Sequence, residues 1–112
     1  MKVLITGGAG FIGFHLASAL AKQDYNVSII ENFERTPEDK EFDDFIKRSN
    51  VRFIKGDVTN PNTFKNLDRD FDQIYHLAAI NGTENFYKIP DKVLKVGVLG
   101  TLNILDWFVK GK

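Results

Sequence analysis

Four short apolar runs, each followed by a segment of different periodicity, constrain the fold of this 112-residue chain most tightly. Lys2 to Thr6, Asn26 to Glu31, Val51 to Lys55 and Asp72 to Ala78 have the length and composition of buried parallel strands. Between and after them lie helical patterns over Phe11 to Lys22, Pro37 to Lys47, Pro61 to Leu67 (with Asn60 as its cap) and, longest of all, Pro90 to Val109. Strands separated by helices need crossover connections, and these are right-handed. The result is a parallel sheet covered on both faces. The predicted class is therefore α/β, a doubly wound sheet of strand order 3-2-1-4, and the length allows one domain over residues 1–112.

The helical patterns also suggest which sides are buried. In the first, Ile12, Leu16, Ala19 and Leu20 share a face. In the second, Pro37 suits the first turn, acids come early and bases late, and Phe42, Phe45 and Ile46 are the core-facing set. The last helix is apolar on two sides. Val93, Val96, Gly97, Gly100, Ile104 and Trp107 form one side, and Leu94, Val98, Leu105 and Val109 the other. A helix apolar on two sides needs two partners. One is the sheet; the expected second is further chain or another copy, with the free edge of the fourth strand as an alternative contact.

Thr6-Gly7-Gly8-Ala9-Gly10-Phe11-Ile12-Gly13 joins the first strand to the first helix. Gly7 permits a tight turn, Gly10 lets the backbone approach a diphosphate, and Gly13 lets the helix pack closely on the strand. The amides at the helix start and its dipole then favour an anion. Phe14, not lysine, follows Gly13, so a nucleotide-triphosphate loop is excluded. An acid, Glu31, ends the second strand 18 residues after Gly13. That is close to the ~20 at which a carboxylate can hold an adenosine ribose. A carboxylate there repels a 2′-phosphate and favours NAD over NADP, although Arg35 is nearby. Taken alone, Glu31 is equally readable as a solvated strand-end side chain.

Composition removes several other classes. Fifteen basic residues balance fifteen acidic ones, so no net field draws the chain to nucleic acid or an anionic membrane. There is no cysteine, which fits a reducing cytoplasm and excludes disulfides and thiolate chemistry. His15 and His76 lack ligand spacing, so no metal site is expected, and both read as structural. Lys95, Asn103 and Asp106 interrupt the longest apolar region, so it is not read as a membrane span.

Thr6 to Gly13, Gly56-Asp57-Val58, His76-Leu77-Ala78-Ala79 and Val96 to Leu105 together resemble, in order and spacing, the extended short-chain dehydrogenases, the family of NAD-dependent sugar-nucleotide epimerases and dehydratases. The resemblance covers essentially the whole chain and implies a Rossmann-type fold. It implies that the Asp57 side chain accepts from the adenine amino group, a helix or turn cap before Asn60-Pro61 being the alternative, and that the Val58 N–H donates to a ring nitrogen. Leu77, Ala78 and Ala79 would floor the cofactor. The candidate dinucleotide-binding set is then Gly7, Gly10, Phe11, Ile12, Gly13, Glu31, Asn32, Asp57, Val58, Leu77, Ala78 and Ala79. Asn81 and Thr83, at the carboxyl edge beyond the fourth strand, are candidate substrate or nicotinamide contacts or, equally, turn formers.

Two departures qualify the resemblance. Where the family commonly has Val-Asn-Val-x-Gly-Thr, this chain has Val96-Gly97-Val98-Leu99-Gly100-Thr101. The family's Tyr-x-x-x-Lys pair, in which lysine lowers the tyrosine pKa, is missing: Ile29, Ala79 and Asp91 stand four residues after Tyr25, Tyr75 and Tyr87. No catalytic residue is assigned. The expectation is an NAD-binding N-terminal part, ending where a fifth strand should begin and inactive alone, whose full-length enzyme would take a nucleotide sugar. A non-catalytic dinucleotide-sensing or protein-interaction module is the alternative, and an S-adenosylmethionine site the third.

Overall fold

The computed structural model describes residues 1–32, 40–80 and 83–110. Its four strands, β1 (Lys2–Thr6), β2 (Asn26–Glu31), β3 (Val51–Lys55) and β4 (Gln73–His76), form one parallel sheet in the order β3-β2-β1-β4. Val3 stands level with Val27 and Gln73, and Thr6 with Ile30 and His76. The carboxyl ends of the strands therefore line up along one edge. β1 and β2 are buried on both faces, their runs being almost wholly apolar (Val3, Leu4, Ile5; Val27, Ile29, Ile30, with Ser28 the buried exception).

One face is covered by α1 (Phe11–Lys22) and α2 (Lys40–Phe45). Phe42 and Phe45 are buried there, with Ile46 packed beside them, as their spacing suggests. The first helix corrects the expected face. Gly13, Ala17 and Ala21 are its buried line, while Ile12 and Ala19 are exposed and Leu16 and Leu20 only flank the core. Small residues at a four-residue interval bring the helix axis close to the sheet, and the larger side chains then seal the sides.

The other face is covered by Val58, Phe64, Leu67 and Phe71 from the segment between β3 and β4, and by Ile104 and Trp107 from α5 (Gly100–Lys110). The expected helix at 61–67 is a single 3-10 turn, Pro61–Phe64, capped by the Asn60 side chain, which accepts from the Asn62 amide at 3.0 Å. The long C-terminal helix is three segments in series. α4 (Pro90–Leu94) leads into a π-helical stretch at Lys95–Leu99 and then into α5. α3 (Thr83–Lys88) precedes it, a helix the sequence pattern does not announce. Ile104 and Trp107 are buried as expected, while Leu94, Val98, Leu102, Leu105 and Val109 are all at least half exposed. No helix among the described residues is long and apolar enough to cross a membrane.

Candidate dinucleotide site

At the carboxyl edge of the sheet the β1–α1 loop, the end of β2 and the β3 and β4 exits form an open cleft. It is lined by Gly7, Gly10, Ile30, Glu31, Asn32, Gly56, Asp57, Val58, Leu77, Ala78, Ala79, Ile80 and Val96. Nine of the twelve candidate cofactor residues thus meet at one place, though they are drawn from four separate stretches of sequence.

Gly7 leaves β1 at φ +74°, in the left-handed region, and a Cβ on it would sit 3.0 Å from the Ala78 nitrogen. Glycine is needed there on both counts. Gly10 caps α1 without a side chain, and the first turn of α1 holds no acid. The helix's leading amides and the positive end of its dipole are therefore left for an anion. Gly13 lies behind the cleft rather than in it. A Cβ there would overlap the Gly7 carbonyl oxygen, so this glycine sets the helix–strand distance. Phe11 and Ile12 do not line the cleft; their side chains are exposed at its rim, with Phe11 edge-on to His15 at 4.6 Å between ring centres.

Glu31 is buried, and its carboxylate accepts from the Ala9 amide (3.1 Å) and the Asn32 amide (3.2 Å). The acid at the end of β2 thus ties down the glycine loop while facing the cleft. A solvated strand-end side chain would show neither feature. Across the cleft, Asp57 Oδ1 accepts from the Thr59 amide (2.9 Å) and hydroxyl (2.8 Å). Both bonds fall on one oxygen, so the carboxylate is oriented and Oδ2 is left for an incoming donor.

β4 ends at His76, two residues earlier than its pattern suggests, and Leu77 to Ile80 continue as irregular chain along the cleft floor. The Thr6 hydroxyl, fully buried, fixes this exit. It accepts from the Ala78 amide at 3.1 Å and has its own proton left for His76 Nδ1 at 2.7 Å. Burial pushes the His76 imidazole below the usual histidine range, which keeps the ring neutral and able to accept. His76 is therefore structural, as its sequence setting suggests. Of the tentative substrate contacts, Asn81 lies outside the described residues, and Thr83 opens α3.

An adenine dinucleotide fits the residues present. There are bare amides for the diphosphate, a buried carboxylate for ribose, a second carboxylate with an open oxygen for the base, and a floor of small side chains. Residues 4–111 match the family model described as GDP-mannose 4,6 dehydratase. The chain belongs to that family, within the extended short-chain dehydrogenases. It is 38% identical over 104 residues to UDP-glucuronic acid decarboxylase 1 of Danio rerio, a match covering 93% of this chain and 23% of that one. Among solved structures it superposes on the Thermus thermophilus UDP-glucose 4-epimerase complex with NAD with a TM-score of 0.78 and 28% identity, over 96% of this chain and 33% of the other. On a Streptomyces venezuelae dTDP-glucose 4,6-dehydratase (DesIV) double mutant with NAD bound, the TM-score is 0.87 at 25% identity, over 98% and 36%. The chain therefore spans about a quarter to a third of the length of these relatives.

Asn103, which stands behind the cleft and holds Val58, is a residue that sequence reading misses. Its side chain donates to the Val58 carbonyl at 2.9 Å. An asparagine on the inward side of an apolar helix was the available signal, since that residue is poorly suited to helix interiors.

Proposed function

We propose that these residues form the NAD-binding portion of a sugar-nucleotide epimerase or dehydratase that works in the cytoplasm. The observation that carries this reading is the Glu31 carboxylate, buried at the cleft and aimed by two backbone amides. In the proposed pose the diphosphate lies over Gly7 and Gly10, and Glu31 accepts from the adenosine ribose hydroxyls. Asp57 Oδ2 accepts from the adenine amino group, and Leu77 to Ala79 pass beneath the ribose and nicotinamide. Phe11 and Ile12 contribute backbone amides rather than side chains, and Asn32 borders the ribose. Bound NAD supplies a hydride acceptor for a sugar carbon. The role of this chain is to hold it and to keep a 2′-phosphate out.

Asn81 and Thr83, past the end of β4, are the proposed contacts to nicotinamide or to the nucleotide sugar. That substrate class is supported by relatives and neighbours named for UDP- and dTDP-sugars. In a calorimetric titration NAD should bind more tightly than NADP by at least about tenfold, and Glu31→Ala should abolish the preference. Equal affinities in the unaltered chain would contradict the reading. With UDP-glucose and NAD supplied together, no NADH absorbance should accumulate.

We also propose that a second copy of the chain covers the outer side of the C-terminal helix. Leu94, Val98, Leu102, Leu105 and Val109 make a stripe there that stays exposed among the described residues. Sedimentation at rising concentration should show a dimer that Val98→Glu with Leu102→Glu converts to monomer. A monomer throughout would dismiss it.

A further inference from the structure

Asn103 and the adenine side of the cleft are joined through a single peptide group. The Val58 carbonyl accepts from Asn103 Nδ2 at 2.9 Å. The amide of the same peptide unit belongs to Thr59 and donates to Asp57 Oδ1 at 2.9 Å. A line of hydrogen bonds thus runs from α5, through the 58–59 peptide, to the carboxylate that faces the base. Each bond in such a chain polarises the next, and the peptide plane cannot turn without breaking one of them. The contact is close-packed as well as hydrogen-bonded. Gly100, one turn before Asn103, is buried, and a Cβ on it would sit 2.8 Å from Val58 Cγ2.

We propose that Asn103 is a positioning residue for base recognition, setting the orientation of the Asp57 carboxylate through the 58–59 peptide and so the selectivity for adenine over 6-oxo purines. The inference rests on the NAD reading above. Asn103 does not line the cleft and acts only through its hold on Val58. Loss of that hold frees the peptide to rotate, and Asp57 Oδ1 loses the Thr59 amide. The open oxygen is then no longer aimed. Ribose recognition by Glu31 comes from another strand and has its own amide partners, so it is untouched.

The test compares NAD, its hypoxanthine analogue (which carries an oxygen in place of the adenine amino group) and NADP, on the full chain and on Asn103→Leu and Asn103→Asp. The unaltered chain should prefer NAD over the hypoxanthine analogue by about tenfold or more, as a charge-assisted bond warrants. Both variants should bring that preference to within about twofold while leaving the NAD/NADP ratio unchanged. Retention of the adenine preference, or parallel loss of both preferences, would overturn the proposal. Should Asn103→Leu fail to fold, Asn103→Ser, whose donor is too short to reach Val58, takes its place. Amide exchange at Thr59 in the ligand-free chain separates this proposal from the NAD reading. It should quicken at least about tenfold in the variants, and unchanged exchange would overturn the inference whether or not NAD binds.

Discussion

The two faces of the sheet are closed by different means. On the α1 side the covering helix follows its strand directly, and the contact is backbone on backbone, Gly13 against Gly7. On the α5 side the cover comes from the far end of the chain, and the contact is made by large side chains. Trp107 packs 5.3 Å from Phe64 and 6.1 Å from Phe71 between ring centres. The first face places the glycine loop at the cleft and the second places Asp57 and Val58 there. A tight local joint tolerates no added atom, whereas a long-range one is made by side chains that can adjust.

The contrast is broken most sharply by making the same substitution on both sides. Gly13→Ala should destabilise the fold by about 3 kcal/mol and remove NAD binding. The new Cβ overlaps a backbone oxygen that cannot retreat, which outweighs alanine's better helix propensity. Chemical denaturation and calorimetry would read both effects. Gly97→Ala should do the reverse. A Cβ at Gly97 meets nothing within 4 Å, so only the propensity gain remains, and stability should rise by about 0.5–1 kcal/mol. A loss on that substitution would mean that the outer helix already has a close neighbour in solution. The smallest effect concerns His76, which sits where the β4 exit meets α5. Because burial depresses its folded-state pKa, the unfolded chain takes up the proton first as pH falls. His76 therefore leaves stability level above about pH 6.5 and erodes it below, down to the folded pKa. Melting curves between pH 7.5 and 5.5 should show a slope that His76→Gln reduces.

All four strands and their order were legible because short runs rich in β-branched and apolar residues, bounded by glycine and polar turns and separated by helical patterns, admit few alternatives. The meeting of the glycine loop and Glu31 at one cleft was legible too, since glycine positions and a strand-end acid carry their own geometry. α3 was not. Thr83 to Lys88 has no apolar stripe, and its Phe86 and Tyr87 are exposed, packed edge-on against each other rather than on the core. The buried side of α1 was misjudged because hydrophobicity ranks Ile12 and Leu16 above Gly13 and Ala17, whereas closeness to the sheet ranks them the other way. Phe11 and Ile12 illustrate a related difficulty. A motif position can matter for its amide while its side chain points elsewhere. Asn103 was missed because its partner is 45 residues away, a separation across which periodicity carries no information.

The π-helical stretch at Lys95–Leu99 gives the C-terminal rod a surplus residue, and with it a phase. One further residue between that stretch and Asn103, with no bulge to absorb it, would turn Pro90–Leu94 and Val96 by roughly 100° against the portion that grips Val58. Val96 would then no longer line the cleft, although every side chain in the rod had been kept. The rod thus works as an indexing shaft, and the spacing of its residues matters as much as their identity.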